Sequence, residues 1–277
     1  MKFPPFELRL ARTRGEVLDH IAALGSDGRI LAGGQSLLPL LRYRLARPHV
    51  LVDINRVTEL RGMAWTPETL RIGALVRHSE LEQVEPSRPG VAGLLREHAR
   101  GIAFRPVRTQ GTAVGSVVHA DPKGDWPLAF CALDARIELV SHRGERSVPI
   151  LEFITGPLET TRAVDELAAA ITVPVADLRR WGRSKLQHRA GEYAACSAIA
   201  LQRSTGWQCW MGAAGDKPFA LPQVAALLDQ GHAARSALVE ATNAALVSLL
   251  PDATPVERHR HAANLADAVQ RAQEQRA

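Results

Sequence analysis

The chain has 277 residues, 46% of them hydrophobic, and a formal net charge of +5. That length buries a full core and suits two domains or lobes, no apolar run approaches the ~20 residues of a membrane span, and Met1-Lys2-Phe3-Pro4-Pro5 does not open a secretory signal, so a cytoplasmic protein is expected. The arginines are scattered without an aromatic-interleaved basic stripe, which argues against nucleic acid; Cys131, Cys196 and Cys209 lie far apart, offer no disulfide framework and no zinc or iron–sulfur spacing, and read as small buried hydrophobes.

In chain order, Gly28-Arg29-Ile30-Leu31 reads as a buried strand. Ala32-Gly33-Gly34-Gln35-Ser36 then forms a tight loop, after which Leu37, Leu38, Leu40, Leu41 and Leu45 recur at helical spacing. Ser36 is the expected N-cap, and Pro39 falls in the first turn, where no internal donor is needed. Adjacent glycines let backbone N–H groups approach a diphosphate without Cβ interference, and a helix start adds partial positive charge. An empty strand-to-helix turn explains the same glycines. Residues 50–54, Val-Leu-Val-Asp-Ile, complete an α/β unit.

A second block begins with a strand at 69–73 and helices at 79–85 and 91–100. A second glycine loop follows, Gly111-Thr112-Ala113-Val114-Gly115-Ser116, then a helix over 125–133 and a hairpin of strands 136–140 and 146–150. Two Gly/Ser loops so far apart can clamp one diphosphate from both sides. Neither carries a P-loop lysine or G-x-G-x-x-G spacing, which argues against an NTPase and an ordinary NAD domain. The last block shows strands at 194–202 and 207–213, a loop at 214–218 and a helical tail. There Leu238, Ala241, Ala245 and Leu249 share one face, and Ala262, Leu265, Ala266 and Val269 another.

Taken in order, these motifs resemble the FAD-binding medium subunit of molybdenum hydroxylases, the flavoproteins of carbon monoxide and xanthine dehydrogenases. The resemblance rests on Ala32-Gly33-Gly34-Gln35-Ser36 with Leu37-Leu38-Pro39, on Arg44-Leu45-Ala46-Arg47-Pro48 and Leu51-Val52-Asp53-Ile54, and on Arg108-Thr109-Gln110-Gly111-Thr112. It continues through His119-Ala120-Asp121-Pro122, Asp125-Trp126-Pro127, Ala132-Leu133-Asp134-Ala135, Ile171-Thr172-Val173-Pro174, Arg189-Ala190-Gly191-Glu192-Tyr193, Gly215-Asp216-Lys217-Pro218 and Glu257-Arg258-His259-Arg260-His261. It implies an α+β fold: a two-subdomain PCMH-type FAD-binding module over 1–175, divided at about 57, and a smaller C-terminal domain of antiparallel strands and helices over 176–277.

The resemblance further implies noncovalent FAD with its diphosphate on Ala32, Gly33, Gly34, Gln35 and Ser36 and on Thr112, Ala113, Val114, Gly115 and Ser116. It places Asp125 near the ribose hydroxyls, and Lys185 and Tyr193 near the flavin ring. The chain would then be an electron-transfer oxidoreductase subunit with no catalytic group acting on organic substrate and no metal of its own. Molybdenum-pterin would sit on a large partner and 2Fe-2S clusters on a small one, in a dimer of heterotrimers. Against these roles, Asp121 and Asp125 also read as turn or cap residues, His119 as structural, Lys185 as exposed and Tyr193 as a packing aromatic. One departure stands out. The family's second loop reads Thr-Ile-Gly-Gly, so Val114 replaces a glycine, and a valine that resists φ > 0 would shift the loop and weaken FAD binding. A stand-alone FAD oxidase, and a scaffold of the same fold that has lost FAD, remain as alternatives.

Overall fold

Val50-Leu51-Val52 is uninterrupted apolar sequence, the pattern of a strand covered on both faces, and it forms the centre of the first sheet. The computed structural model describes residues 3–85, 90–232 and 234–275, so Met1 and Lys2 of the expected leaderless start lie outside it. β1 (Glu7–Leu10), α1 (Arg14–Leu24), β2 (Gly28–Leu31), α2 (Leu37–Arg42) and β3 (Val50–Asp53) build a parallel three-stranded sheet in the order β1-β3-β2. Thr13 caps α1, its hydroxyl accepting from Glu16 N–H at 3.1 Å, and Val17, Leu18 and Ile21 form the buried face. Ser36 does not cap α2. Its side chain accepts no capping bond, and the helical turn begins earlier, with Leu38 N–H on the Gly34 carbonyl at 2.9 Å.

The next segment contains β4 (Met63–Trp65), β5 (Thr69–Gly73), α3 (His78–Leu81), α4 (Val91–Arg100), α5 (Arg105–Gln110), α6 (Ala113–His119), α7 (Asp125–Ala132), β6 (Arg136–Ser141), β7 (Gly144–Pro149), α8 (Ile150–Phe153), β8 (Ile154–Gly156), β9 (Glu159–Thr160) and β10 (Leu167–Pro174). β4, β5, β10, β6 and β7 form an antiparallel sheet in that order, while β8 and β9 pair separately. The helix expected over 79–85 ends early, at Leu81.

The second glycine loop is in fact the start of α6. Thr112 is its N-cap, its hydroxyl accepting from Gly115 N–H at 3.2 Å, so a cap signal hid behind the glycines. Val114 occupies the second helical position with its side chain buried, and it is absent from the positive-φ positions. Right-handed helical geometry accepts valine, so the strain expected of Val114 does not arise.

β11 (Leu178–Leu186), β12 (Cys196–Arg203), β13 (Gly206–Gly212) and β14 (Phe219–Ala220) form a four-stranded antiparallel sheet, covered by α9 (Pro222–Asp229) and α11 (Pro255–Glu274), with α10 (Arg235–Leu249) packed on those two helices. The chain is thus α+β, with antiparallel strands and helices in its C-terminal part. On α10 the buried stripe runs through Leu238, Thr242 and Leu246, a spacing of four, and the expected face member Leu249 is exposed. Ala262, Leu265, Ala266 and Val269 of α11 are buried as a face.

β11 has no apolar alternation to announce it, because two of its charged side chains, Arg183 and Lys185, reach buried partners on the preceding segment. At Gly182 it lies so close to α11 that a Cβ would sit 2.0 Å from the Ala268 carbonyl oxygen and 2.5 Å from Ala272 N. Backbone on both sides leaves no side chain to yield. Gly182→Ala is expected to destabilise the protein by about 3 kcal/mol, the upper range for overpacking, measured as a lower midpoint in chemical denaturation.

Candidate functional site

The two glycine segments, almost eighty residues apart, meet backbone to backbone. A Cβ on Gly33 would lie 2.5 Å from the Gln110 carbonyl oxygen, 2.8 Å from Gly111 Cα and 3.0 Å from Thr112 N, so only glycine permits the contact. Gly34 beside it adopts φ +72°, a left-handed conformation that L side chains rarely take.

Side chains fasten the two segments together. Asn55 Nδ2 donates to the Ala32 carbonyl at 2.8 Å, and its Oδ1 accepts from Arg77 NH2 at 2.6 Å, while Arg77 NH1 donates to the Gln110 carbonyl. Asp53 Oδ1 accepts from the Asn55 backbone and side-chain N–H groups at 2.8 and 2.7 Å, holding the amide in place. His78 N–H adds a bond to the Gly111 carbonyl at 3.0 Å. Sequence reading missed this strap; an asparagine following the Val-Leu-Val-Asp strand was its only local mark.

A cleft of about 650 Å³ opens beside the contact, within the range of cofactor sites. Of the residues expected to bind, Ala32, Gly33, Gly34, Gln35, Ser36, Thr112, Val114, Gly115, Ser116, Asp125 and Tyr193 line it. Ala113 and Lys185 do not. Ala113 is buried with its N–H on the Val76 carbonyl at 3.4 Å, and Lys185 lies behind Asp125. Among the described residues, the N–H groups of Gly33, Gly34, Gln35, Ser36 and Val114 have no protein acceptor. Helices of six and seven residues add little dipole, so individual N–H groups are the attraction the two segments offer to an anion.

Asp125 and Lys185, expected at separate parts of a ligand, form one ion pair. Lys185 Nζ lies 2.9 Å from Asp125 Oδ2 and donates to the Gly101 carbonyl at 3.0 Å, with both side chains more than nine-tenths buried. Burial pushes the Asp125 carboxyl up, against the opposing pull of Lys185 and Arg183. Its Oδ1 has no described protein partner and is the oxygen left for a ligand hydroxyl. Tyr193 stands half-exposed at the rim. Burial, then the acids Asp121 and Asp125, push its phenol up, which keeps the hydroxyl protonated.

Beneath the cleft, Trp126 is sandwiched by histidines. Its Nε1 donates to His78 Nδ1 at 2.9 Å, so the His78 proton sits on Nε2, and the His98 ring lies 5.4 Å away with Nε2 2.7 Å from the Asp125 carbonyl. Burial, then Arg77 and Arg108, lower His78 to about 4. His119, a lining residue, is also lowered by burial. Burial pushes the thiols of Cys131, Cys196 and Cys209 up to about 12, 11 and 12. Among the described residues no group of three His, Cys, Asp or Glu side chains is placed to hold a metal ion, and no helix is long and apolar enough to cross a membrane.

Residues 4–176 match the family described as the FAD binding domain in molybdopterin dehydrogenase. The chain belongs to that family. It is 35% identical over 204 residues to the carbon monoxide dehydrogenase medium chain of Hydrogenophaga pseudoflava, covering 73% of this chain and 71% of that one. With the glyceraldehyde dehydrogenase medium chain of Sulfolobus acidocaldarius the identity is 35% over 227 residues, covering 80% of each. A chain of quinoline 2-oxidoreductase from Pseudomonas putida 86 superposes with a TM-score of 0.87 at 28% identity, covering 98% of both. The chain is therefore an FAD-binding oxidoreductase component of the molybdenum hydroxylase family. The cleft fits such a cofactor, since Gly33 lets the two segments meet beside it and N–H groups without a protein acceptor border it.

Two measurements probe the site. Val114→Gly is expected to leave FAD affinity unchanged and to cost about 2 kcal/mol of stability through lost burial and helix propensity; tighter FAD binding on titration would restore the strain excluded above. Unfolded His78 gains a proton near pH 6.5, whereas folded His78 resists until about 4. Stability therefore falls as pH drops across that window, by about 3 kcal/mol. Denaturation at pH 7.5 and pH 4 should show the fall, and His78→Gln should reduce it by the His78 share, since burial lowers His98, His119 and His261 as well.

Proposed function

We propose that this chain is the electron-transfer flavoprotein subunit of a cytoplasmic molybdenum-containing hydroxylase or dehydrogenase, assembled with a large molybdenum-pterin subunit and a small 2Fe-2S subunit as a dimer of heterotrimers. The observation that carries the reading is the meeting of Gly33 with Gln110-Gly111-Thr112 beside unpaired backbone N–H groups, in a chain of this family. Bound noncovalently, FAD would supply the redox chemistry, accepting electrons from the small subunit's clusters and giving them to an external acceptor.

This chain's own residues bind and orient. Ala32, Gly33, Gly34, Gln35 and Ser36, with Thr112, Val114, Gly115 and Ser116, hold the diphosphate by backbone and hydroxyl donors. Asp125 Oδ1 accepts from a ribose hydroxyl while Lys185 keeps the carboxylate charged. Tyr193 covers the flavin at the rim and donates from its neutral hydroxyl. Ala113 supports the second segment from behind. Residues 1–175 serve as the cofactor domain and 176–277 as the part that closes the rim.

The purified chain should show flavin absorbance near ~450 nm, release the flavin on denaturation, and leave it oxidised in the presence of candidate substrates until the partner subunits are added. Substrate-dependent flavin reduction by this chain alone would overturn the division of labour and favour the stand-alone oxidase. A colourless protein that takes up no FAD would favour the scaffold.

A further inference from the structure

Arg29 on β2 and Arg162, two residues beyond β9, both line the cleft, and neither belongs to the two glycine segments. Their neighbourhood contains acids, but those acids are taken. Glu166 Oε1 and Oε2 accept from Arg146 at 2.6 and 2.8 Å, and Oε2 also accepts from Ala163 N–H at 2.8 Å. Asp165 is paired with Arg143 at 2.7 Å. Arg162 is left with two carbonyls, its NH1 donating to Ala163 and Glu166 at 3.0 and 2.7 Å. Arg29 is placed similarly, with NH1 on the Ser26 and Gly28 carbonyls at 2.9 Å each. Among the described residues neither makes an ion pair, and Nε and NH2 of each have no protein acceptor. Burial lowers the Arg162 pKa and the nearby Arg29 lowers it further, against the opposing pull of Glu166 and Asp165, whose oxygens are bonded to other groups. Such a pair of arginines is stabilised by an anion set between its members.

We propose that Arg29 and Arg162 form a phosphoryl-binding subsite of the cleft, supplying the formal positive charge that the glycine segments, with neutral N–H donors only, do not. Planar guanidiniums with free Nε and NH2 groups match phosphoryl oxygens in pairs. The proposal rests on the reading that the cleft takes FAD, whose diphosphate is one source of such oxygens; a free phosphate anion beside the bound cofactor is the other.

The test uses the full-length chain freed of flavin, titrated at low and high salt with FAD, with riboflavin, which has no phosphate, and with inorganic pyrophosphate. Arg162→Gln and Arg29→Gln are each expected to weaken FAD by about tenfold or more, the worth of one charge-assisted hydrogen bond, and to make FAD affinity less salt-dependent. Riboflavin affinity should not change, whereas a merely structural role would weaken both flavins alike. Loss of pyrophosphate binding to the FAD-loaded protein with FAD affinity intact would assign the subsite to a free anion. Arg29 is exposed, so its variant keeps the question open if Arg162→Gln misfolds. The proposal falls if FAD affinity, pyrophosphate affinity and salt dependence all match wild type in a folded variant. A wild-type chain that binds pyrophosphate through these arginines but not FAD would sink the functional reading and leave the subsite standing.

Discussion

The structure depends on a backbone contact without side chains: Gly33 against Gln110, Gly111 and Thr112. Everything that makes the cleft a site follows from that approach. It brings the segment leaving the parallel sheet against the segment entering α6, and it leaves both with N–H groups that no protein acceptor claims. Unsatisfied donors are costly where water is excluded, so the arrangement is stable only beside solvent or a ligand with acceptor oxygens. The Asn55–Arg77 strap fixes the distance, joining the carbonyls of Ala32 and Gln110 through one amide and one guanidinium. Arg77 is half-buried, and burial lowers its pKa, yet a guanidinium stays charged and can bridge such a gap.

A second set of contacts determines where the C-terminal sheet lies. β11 sends Lys185 to Asp125 and Gly101, and Arg183 to the Glu97 carbonyl at 2.9 Å, while Arg271 of α11 donates to the Arg183 carbonyl at 2.8 Å. Isolated buried charges would be prohibitive; here each meets a carboxylate or a carbonyl. The close seat of α11 on Gly182 sets the angle at which β11 delivers these side chains. Because Asp125 also borders the cleft, the contact of β11 with α7 and the site share a residue, and the loop carrying Tyr193 lies at the rim beside it.

The sequence revealed elements whose periodicity is local. The helix at Val91–Arg100, the hairpin of β6 and β7 and the apolar face of α11 were legible because each pattern is complete within its own segment. β11 was not, since its buried charges, Arg183 and Lys185, find their partners on α4, at Gly101 and on α7, and no alternation survives in the strand itself. The start of α6 was misread as a loop because two glycines outweighed the Thr112 cap, and with it Val114 acquired a strain it does not have. Ser36 was credited with a cap that the turn at Gly34 makes unnecessary.

From the sequence alone came the α+β class, the family resemblance and the two glycine segments, because these reside in residue types and their order along the chain. Only the tertiary structure brought the segments into contact, joined Asp125 to Lys185, and set Arg29 and Arg162 on one cleft with no ion pair to either. Which acid answers which base depends on distances between residues far apart in the chain, and Glu166 and Asp165 could be assigned to Arg146 and Arg143 only once those distances were known.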